Sequence, residues 1–155
     1  MTTLEIYPAA LPTVGNEAGE LRAFYRLEKA ATATYVKALL SGSLRPFAGI
    51  LESCHASHRY RAELLAARIR GLGGAVPKSP GSWGALVPLF EQAAATVSAR
   101  MAISLLEQHE GHCLSDYRVA PETLHPNTRL FLRDHLLPRE IGSHQSMSNL
   151  KHSLG

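Results

Sequence analysis

The amino-acid sequence predicts an all-α protein: a bundle of four main helices with a short extra helix in the middle connection. Apolar residues recur at helical spacing in four segments, no segment alternates with a period of two, and aromatic residues make up only 6% of the chain. The 155 residues are 45% hydrophobic and 19% charged, a balance typical of one folded domain with its own core.

Start and stop signals divide the chain into these elements. Proline and glycine in residues 1–15 predict an irregular lead-in, Ser41-Gly42-Ser43 ends the first helix, and Gly73-Gly74 ends the second. Pro126 opens the last helix, and Pro138 within it is expected to cause a kink. The main helices are predicted at about residues 16–40, 46–72, 98–118 and 126–152, with the short helix at about 82–94.

Composition argues against several classes of function. The net charge of +3 comes from scattered basic residues, which argues against a nucleic-acid partner. No apolar stretch reaches the roughly 18 residues that cross a bilayer, and no signal peptide is apparent, so neither a membrane partner nor secretion is expected. With Cys54 and Cys113 as the only cysteines, we expect no disulfide framework and a cytoplasmic location. Without a phosphate loop, nucleophile elbow or paired-cysteine zinc motif, the sequence indicates no particular catalytic residue.

Two glutamates lie on faces that are otherwise apolar. Glu28 falls on the apolar stripe of the first helix and Glu110 on that of the third, and each is followed seven residues later by a tyrosine, Tyr35 or Tyr117. Because seven residues are about two helical turns, each glutamate shares a face with its tyrosine. A buried carboxylate is costly unless it is paired, protonated or bound to a cation. The sequence therefore predicts partners for both glutamates inside the bundle.

Residues equally distant from the centre of a hairpin loop lie at the same level of two antiparallel helices. A centre at residue 43 places His58 opposite Glu28, and a centre at 122 places Asp134 opposite Glu110. His55, one turn before His58, is expected to reach the same cavity. Carboxylates and imidazoles from facing helices typically form di-iron or di-manganese sites. The predicted ligands are Glu28, His55, His58, Glu110 and Asp134, with Glu52, Glu107, Glu140 and His144 as further candidates.

A purely structural role of these residues is the alternative to a metal site. Buried histidines often bond a backbone carbonyl, and a Glu–His pair can be a plain buried ion pair. In that case the polar residues form a closed hydrogen-bond network that fixes helix register.

Several segments resemble the ferritin-like superfamily and, more closely, a bacterial ferritin-like family of unknown function sometimes grouped with stress-induced proteins. They are LEKAATATY, RAELLAARIRGLGG, GSWGAL, Glu107-x-x-Glu110-x6-Tyr117 and the helix from Pro126 to His144, within about residues 20–152. The resemblance implies a ferritin-like four-helix bundle, with Glu28 and Glu110 at the single-glutamate positions and Glu52-x-x-His55 as the second-helix motif. In the last helix the motif is broken, because Ser143 follows Glu140 at the histidine position and His144 comes one residue later.

Two functions follow from the sequence. In the first, iron or manganese bound in the bundle reacts with dioxygen or peroxide or serves iron handling, while Tyr35 and Tyr117 orient the ligating carboxylates. In the second, a metal-free bundle acts as a stress-related or partner-binding module. The small size and helical architecture suggest a homodimer, and nothing in the sequence indicates an iron-storage cage.

Overall fold

The computed structural model describes residues 14–81, 87–88, 98–118 and 124–155, which are mostly helical and contain no β-strand. The elements are α1 (Val14–Leu40), a 3₁₀ turn (Gly42–Phe47), α2 (Ala48–Gly71) and α3 (Ala99–Arg118). A last continuous helix, α4, comprises an α segment (Pro126–Phe131), a π turn (Leu132–Leu136) and an α segment (Leu137–Ser153). The predicted all-α class with four main helices is confirmed.

The ends of the helices agree with the sequence signals to within about two residues. Val14 and Gly15, assigned to the lead-in, are already helical, whereas residues 1–13 lie outside the described part of the chain. Gly73 follows α2 with a φ of +75°, and the Gly74 N–H donates to the Ile69 carbonyl at 2.9 Å, a glycine stop of the expected kind. Of the short helix predicted at about 82–94, only residues 87–88 are described, and they are helical.

Apolar side chains from all four helices form two core clusters at opposite ends of the bundle. One packs around the carboxyl end of α1 and the amino end of α2, and includes Tyr35, Leu51, Ile103 and Met147. The other packs around the opposite ends of these helices, and includes Leu21, Leu65, Tyr117, Leu132 and Leu136. A layer of buried polar side chains lies between the two clusters, at the level of Glu28.

The π turn changes which face of α4 is buried. Pro138 has no N–H to offer the carbonyl four residues earlier, and the helix accommodates this loss with the wide turn that ends at Leu136. Helical spacing in the sequence predicts a buried stripe through Leu130, Asp134, Leu137, Ile141 and His144. This register is wrong, because Leu130 and Ile141 are 47% and 39% exposed. The buried positions are instead Thr128, Leu132, Leu136, Glu140, Ser143, Met147 and Leu150.

None of the helices within the described ranges combines the length and the apolar character needed to cross a membrane.

Candidate functional site

Helices α1 and α3 bring two glutamates and two tyrosines into the buried polar layer in crossed pairs. The Tyr35 hydroxyl donates to Glu110 Oε1 at 2.5 Å, and the Tyr117 hydroxyl donates to Glu28 Oε1. The crossing requires α1 and α3 to run antiparallel, so that the tyrosine of one helix reaches the glutamate of the other. All four side chains are at most 2% exposed, and each tyrosine holds one carboxylate in a fixed orientation.

His58 on α2 lies between the two glutamates. Its Nδ1 is 2.6 Å from Glu28 Oε2, and its Nε2 is 2.8 Å from Glu110 Oε1. Burial alone lowers the pKa of this imidazole, but the charges of Glu110 and Glu28 outweigh it and raise the pKa to about 9. In the metal-free chain His58 is therefore a cation that bridges two carboxylates, with Glu28 at the level predicted for it.

Arg61, one turn after His58, places a second cation in the layer, and it was not among the predicted site residues. Its Nε donates to Glu28 Oε1 at 2.8 Å, while Nη2 lies 2.6 Å from Glu140 Oε2 and 2.7 Å from His58 Nδ1. The side chain is fully buried. Burial lowers the pKa of the guanidinium, but Glu28 and Glu140 more than compensate and keep it above its usual range. Arg61 therefore lies where it neutralises carboxylates from both α1 and α4.

Glu140 on α4 completes the layer, and its carboxyl group is poorly satisfied. Arg61 Nη2 is close to Glu140 Oε2 but off the hydrogen-bond direction, so neither oxygen of Glu140 accepts a hydrogen bond from a described residue. Glu110 Oε2 also accepts no bond from an N–H or from a hydroxyl of a described residue, and the protonated Glu140 carboxyl is its hydrogen-bond donor. Burial and the nearby charge of Glu110 raise the pKa of Glu140 to about 11. Burial also raises the pKa of Glu110, but His58 more than compensates and holds it well below its usual range.

The cluster is electrically balanced when Glu140 carries a proton. His58 and Arg61 then carry two positive charges, and Glu28 and Glu110 carry two negative charges. Balance of this kind lets charged groups occupy a dry interior, where an uncompensated ion costs several kcal/mol. Among the described residues, Glu28, His58 and Glu140 also form a group whose potential ligand atoms lie within 4.8 Å of one another.

Two predicted ligands lie outside the cluster. Asp134 is exposed and pairs with the adjacent Arg133 at 2.7 Å, because the buried face of α4 runs through Leu132, Leu136 and Glu140 instead. His55 is only partly buried and lines a groove with Lys29 and Arg59, because the inner face of α2 runs through Cys54 rather than His55. Both placements were wrong.

Of the four further candidate ligands, one lies in the buried cluster and three lie outside it. Glu140 belongs to the cluster, whereas Glu52 is exposed on α2. Glu107 and His144 form a separate, partly exposed group, in which Glu107 accepts from Lys151 at 3.0 Å and lies 3.6 Å from His144 Nε2. The two cysteines are free and buried, as expected of small core residues.

Sequence reasoning missed Arg61 and underrated Glu140 for physical reasons. An arginine on a helix is ordinarily placed at the surface, since arginine is almost never fully buried without a partner. The available signal was the spacing Cys54, His58, Arg61, Leu65, which steps by four and three residues along one face. The same reading on α4 joins Leu136, Glu140, Ser143 and Met147. Both patterns compete with neighbouring leucine stripes, so spacing alone does not choose between them.

Comparison of the chain with protein-family models, with curated proteins and with solved structures finds no match.

Proposed function

We propose that the chain is a ferritin-like helical-bundle protein whose buried cluster binds a divalent transition-metal ion, iron or manganese. The observation that carries the proposal is the set of unpartnered carboxyl oxygens. Four buried side-chain nitrogen or oxygen atoms of the described residues lack a hydrogen-bond partner, and three of them belong to Glu110 and Glu140. Buried carboxyl oxygens require a cation or a proton. In the metal-free chain a proton on Glu140 is shared with Glu110 in a carboxyl–carboxylate hydrogen bond, and a metal ion would take the place of that proton.

The donor set is consistent with such an ion. Glu28, His58 and Glu140 supply two carboxylates and one imidazole within 4.8 Å of one another, and Glu110 adds a third carboxylate beside His58. Mixed carboxylate and imidazole ligands suit iron and manganese better than copper or a structural zinc. A bound iron or manganese ion would supply redox chemistry towards dioxygen or peroxide. Tyr35 and Tyr117 would keep the carboxylates oriented towards the ion.

The position of Arg61 favours one ion rather than the two that the sequence suggests. Its guanidinium lies among Glu28, His58 and Glu140. It already neutralises part of the carboxylate charge that two divalent ions would need. One divalent ion that displaces the protons of His58 and Glu140 leaves the charge of the cluster unchanged. A second divalent ion would add two uncompensated positive charges, and one would remain even if Arg61 moved away.

A metal-free bundle is the second candidate, and the charge balance is the observation that favours it. With His58 and Arg61 as internal cations and a proton on Glu140, the cluster is neutral without any ion. In this case the polar layer fixes the register of the helices, and the chain acts through its surface as a stress-related or partner-binding module.

Metal content after reconstitution separates the two candidates. Untagged protein is stripped with EDTA, freed of chelator, loaded anaerobically with Fe²⁺ or Mn²⁺, desalted and measured by elemental analysis. The metal proposal expects about one ion per chain, lost in Glu140→Gln and in Glu110→Gln. Glu107→Gln is the matched control, because Glu107 is an acid on α3 that lies outside the cluster.

The expected results are different if the cluster is metal-free. Metal content then stays below about 0.2 ion per chain in every protein. Glu140→Gln also has little effect on stability, because the carboxyl group is already neutral. A content of about two ions per chain would instead overturn the role given to Arg61.

A further inference from the structure

A groove of about 460 Å³ runs between α2 and α4, directly outside the buried cluster. Its walls carry many hydroxyl groups and one arginine, and no aspartate or glutamate lines it. The lining residues with a hydroxyl or guanidinium group are Ser53, Ser57, Tyr60, Arg139, Ser143 and Ser146. The lining of this groove therefore offers hydrogen-bond donors and positive charge, without a compensating anion.

The innermost part of the groove is in contact with the buried guanidinium of Arg61. Nη1 of Arg61 donates to Ser57 Oγ at 2.8 Å and to Ser143 Oγ at 3.4 Å. Each of these oxygens is used as an acceptor, and neither hydroxyl donates a hydrogen bond to any described residue. A serine hydroxyl carries one proton to donate. Ser57 and Ser143 therefore present two O–H donors to the groove, and the cation behind them strengthens both.

The outer part of the groove holds a second arginine in place. The Arg139 guanidinium on α4 lies 3.9 Å from the centre of the Tyr60 ring on α2, a cation–π contact across the two walls. Gly142, one turn further along α4, leaves the space beside it open, since a Cβ atom there would meet no other atom within 4 Å. The groove thus combines a positioned guanidinium with unfilled volume.

We propose that this groove binds a small oxyanion, a carboxylate or a phosphate. Arg139 would contact it from the rim, and the hydroxyls of Ser57 and Ser143 would donate to it from the inner end. A guanidinium fork matches the paired oxygens of either group. The proposal rests on the groove's own residues and holds whether or not the cluster carries a metal.

Amide NMR chemical-shift titration of the full-length, ¹⁵N-labelled protein in EDTA tests the proposal. Sodium phosphate and sodium acetate are added in separate titrations, with sodium chloride keeping the ionic strength constant. We expect saturable shifts at Ser57, Gly142 and Ser143. Saturation by phosphate alone identifies a phosphate site, whereas saturation by acetate as well shows that a carboxylate is sufficient.

Three variants make the test specific. Arg139→Gln removes the rim cation and is expected to weaken binding about 10- to 100-fold. Gly142→Leu fills the open space and is expected to abolish saturation while the far-ultraviolet circular dichroism stays unchanged. Arg133→Gln is the control, because Arg133 is an exposed arginine of α4 that pairs with Asp134 and does not line the groove.

Several results would overturn the proposal. They are the absence of saturation with both anions, an equal loss of affinity in Arg133→Gln and Arg139→Gln, and shifts confined to the other basic groove around Lys29 and Arg70. Shifts that depend on protein concentration rather than on anion would mean that a second copy of the chain covers the groove. Metal content is measured separately, so a failure here is distinguishable from a failure of the metal site.

Discussion

Replacing Arg61 by methionine removes the resident cation of the cluster while keeping a long, unbranched stem. Arg61 is fully buried, donates to Glu28 Oε1 at 2.8 Å and lies 2.6 Å from Glu140 Oε2. In Arg61→Met, Glu28 keeps the bonds from His58 and Tyr117, but Glu140 loses the cation that lies 2.6 Å from its Oε2. The substitution therefore leaves three carboxyl groups facing a single cation in a dry interior.

The size of the effect follows from the burial of the pair. Removing one partner of a buried ion pair typically costs about 3–5 kcal/mol, because the remaining charge is left without compensation. In a domain of this length each 1 kcal/mol shifts the melting temperature by about 2–4 °C, so the expected decrease is about 6–20 °C. An exposed arginine replaced in the same way is expected to change stability by less than about 0.5 kcal/mol.

Urea denaturation followed by circular dichroism at pH 7 in EDTA measures this difference, with Arg133→Met as the control. A loss below about 1 kcal/mol in Arg61→Met would refute the role of Arg61 as the compensating cation. A second measurement repeats the unfolding with Mn²⁺ present. Because the guanidinium no longer lies among Glu28, His58 and Glu140, the same Mn²⁺ concentration is expected to stabilise Arg61→Met more than wild type. The gain is about 2.7 kcal/mol where that concentration is 100 times the dissociation constant of the variant. An Arg61→Met protein that Mn²⁺ stabilises no more than wild type would contradict this part of the reasoning.

Three further predictions concern the polar layer and the groove. Tyr35→Phe and Tyr117→Phe are each expected to lower the free energy of unfolding by about 1.5–3 kcal/mol in urea denaturation, because each hydroxyl donates to a buried carboxylate; unchanged stability would contradict the crossed pairing. The metal-free protein is expected to lose stability between pH 7 and pH 9. Folding raises the pKa of His58 from 6.5 to about 9, so its contribution of about 3 kcal/mol is complete below pH 6.5 and is lost as the pH rises through 9. The raised pKa of Glu140 acts in the same direction, and a urea midpoint that rises over this interval would disprove the assignment. Gly142→Ala is expected to raise the free energy of unfolding by about 0.5–1 kcal/mol, because it lies within α4 and its new methyl group meets no other atom; a decrease would show that the position is occupied.

Sequence patterns were sufficient to predict the helices and three members of the buried cluster, Glu28, His58 and Glu110. Leucine and alanine at helical spacing, with glycine and proline at the ends, define α1, α2 and α3 without reference to the rest of the fold. Glu28 and Glu110 stand out because each interrupts an apolar stripe, and the short loop after α1 fixes the level of His58. These features depend on local periodicity and on one short connection, which sequence reasoning handles well.

The positions of Arg61 and Glu140 depend on long-range geometry, which local sequence patterns do not predict. With the π turn before Pro138, the buried face of α4 runs through Leu136 and Glu140, so Glu140 rather than Asp134 lies beside Glu110. Arg61 is buried only because carboxylates from α1 and α4 meet it there. Its partners are 33 and 79 residues away, and no local rule places a charged side chain by contacts at such a separation.

Anomalous diffraction at the manganese edge, from crystals of stripped protein grown with Mn²⁺, tests the central claim most directly. We predict one anomalous peak per chain, bounded by Glu28, His58, Glu110 and Glu140, with the Arg61 guanidinium still bonded to Glu28. Density that shows the four side chains bonded to one another with no peak between them would contradict it, and would leave the cluster as a closed ion-pair network.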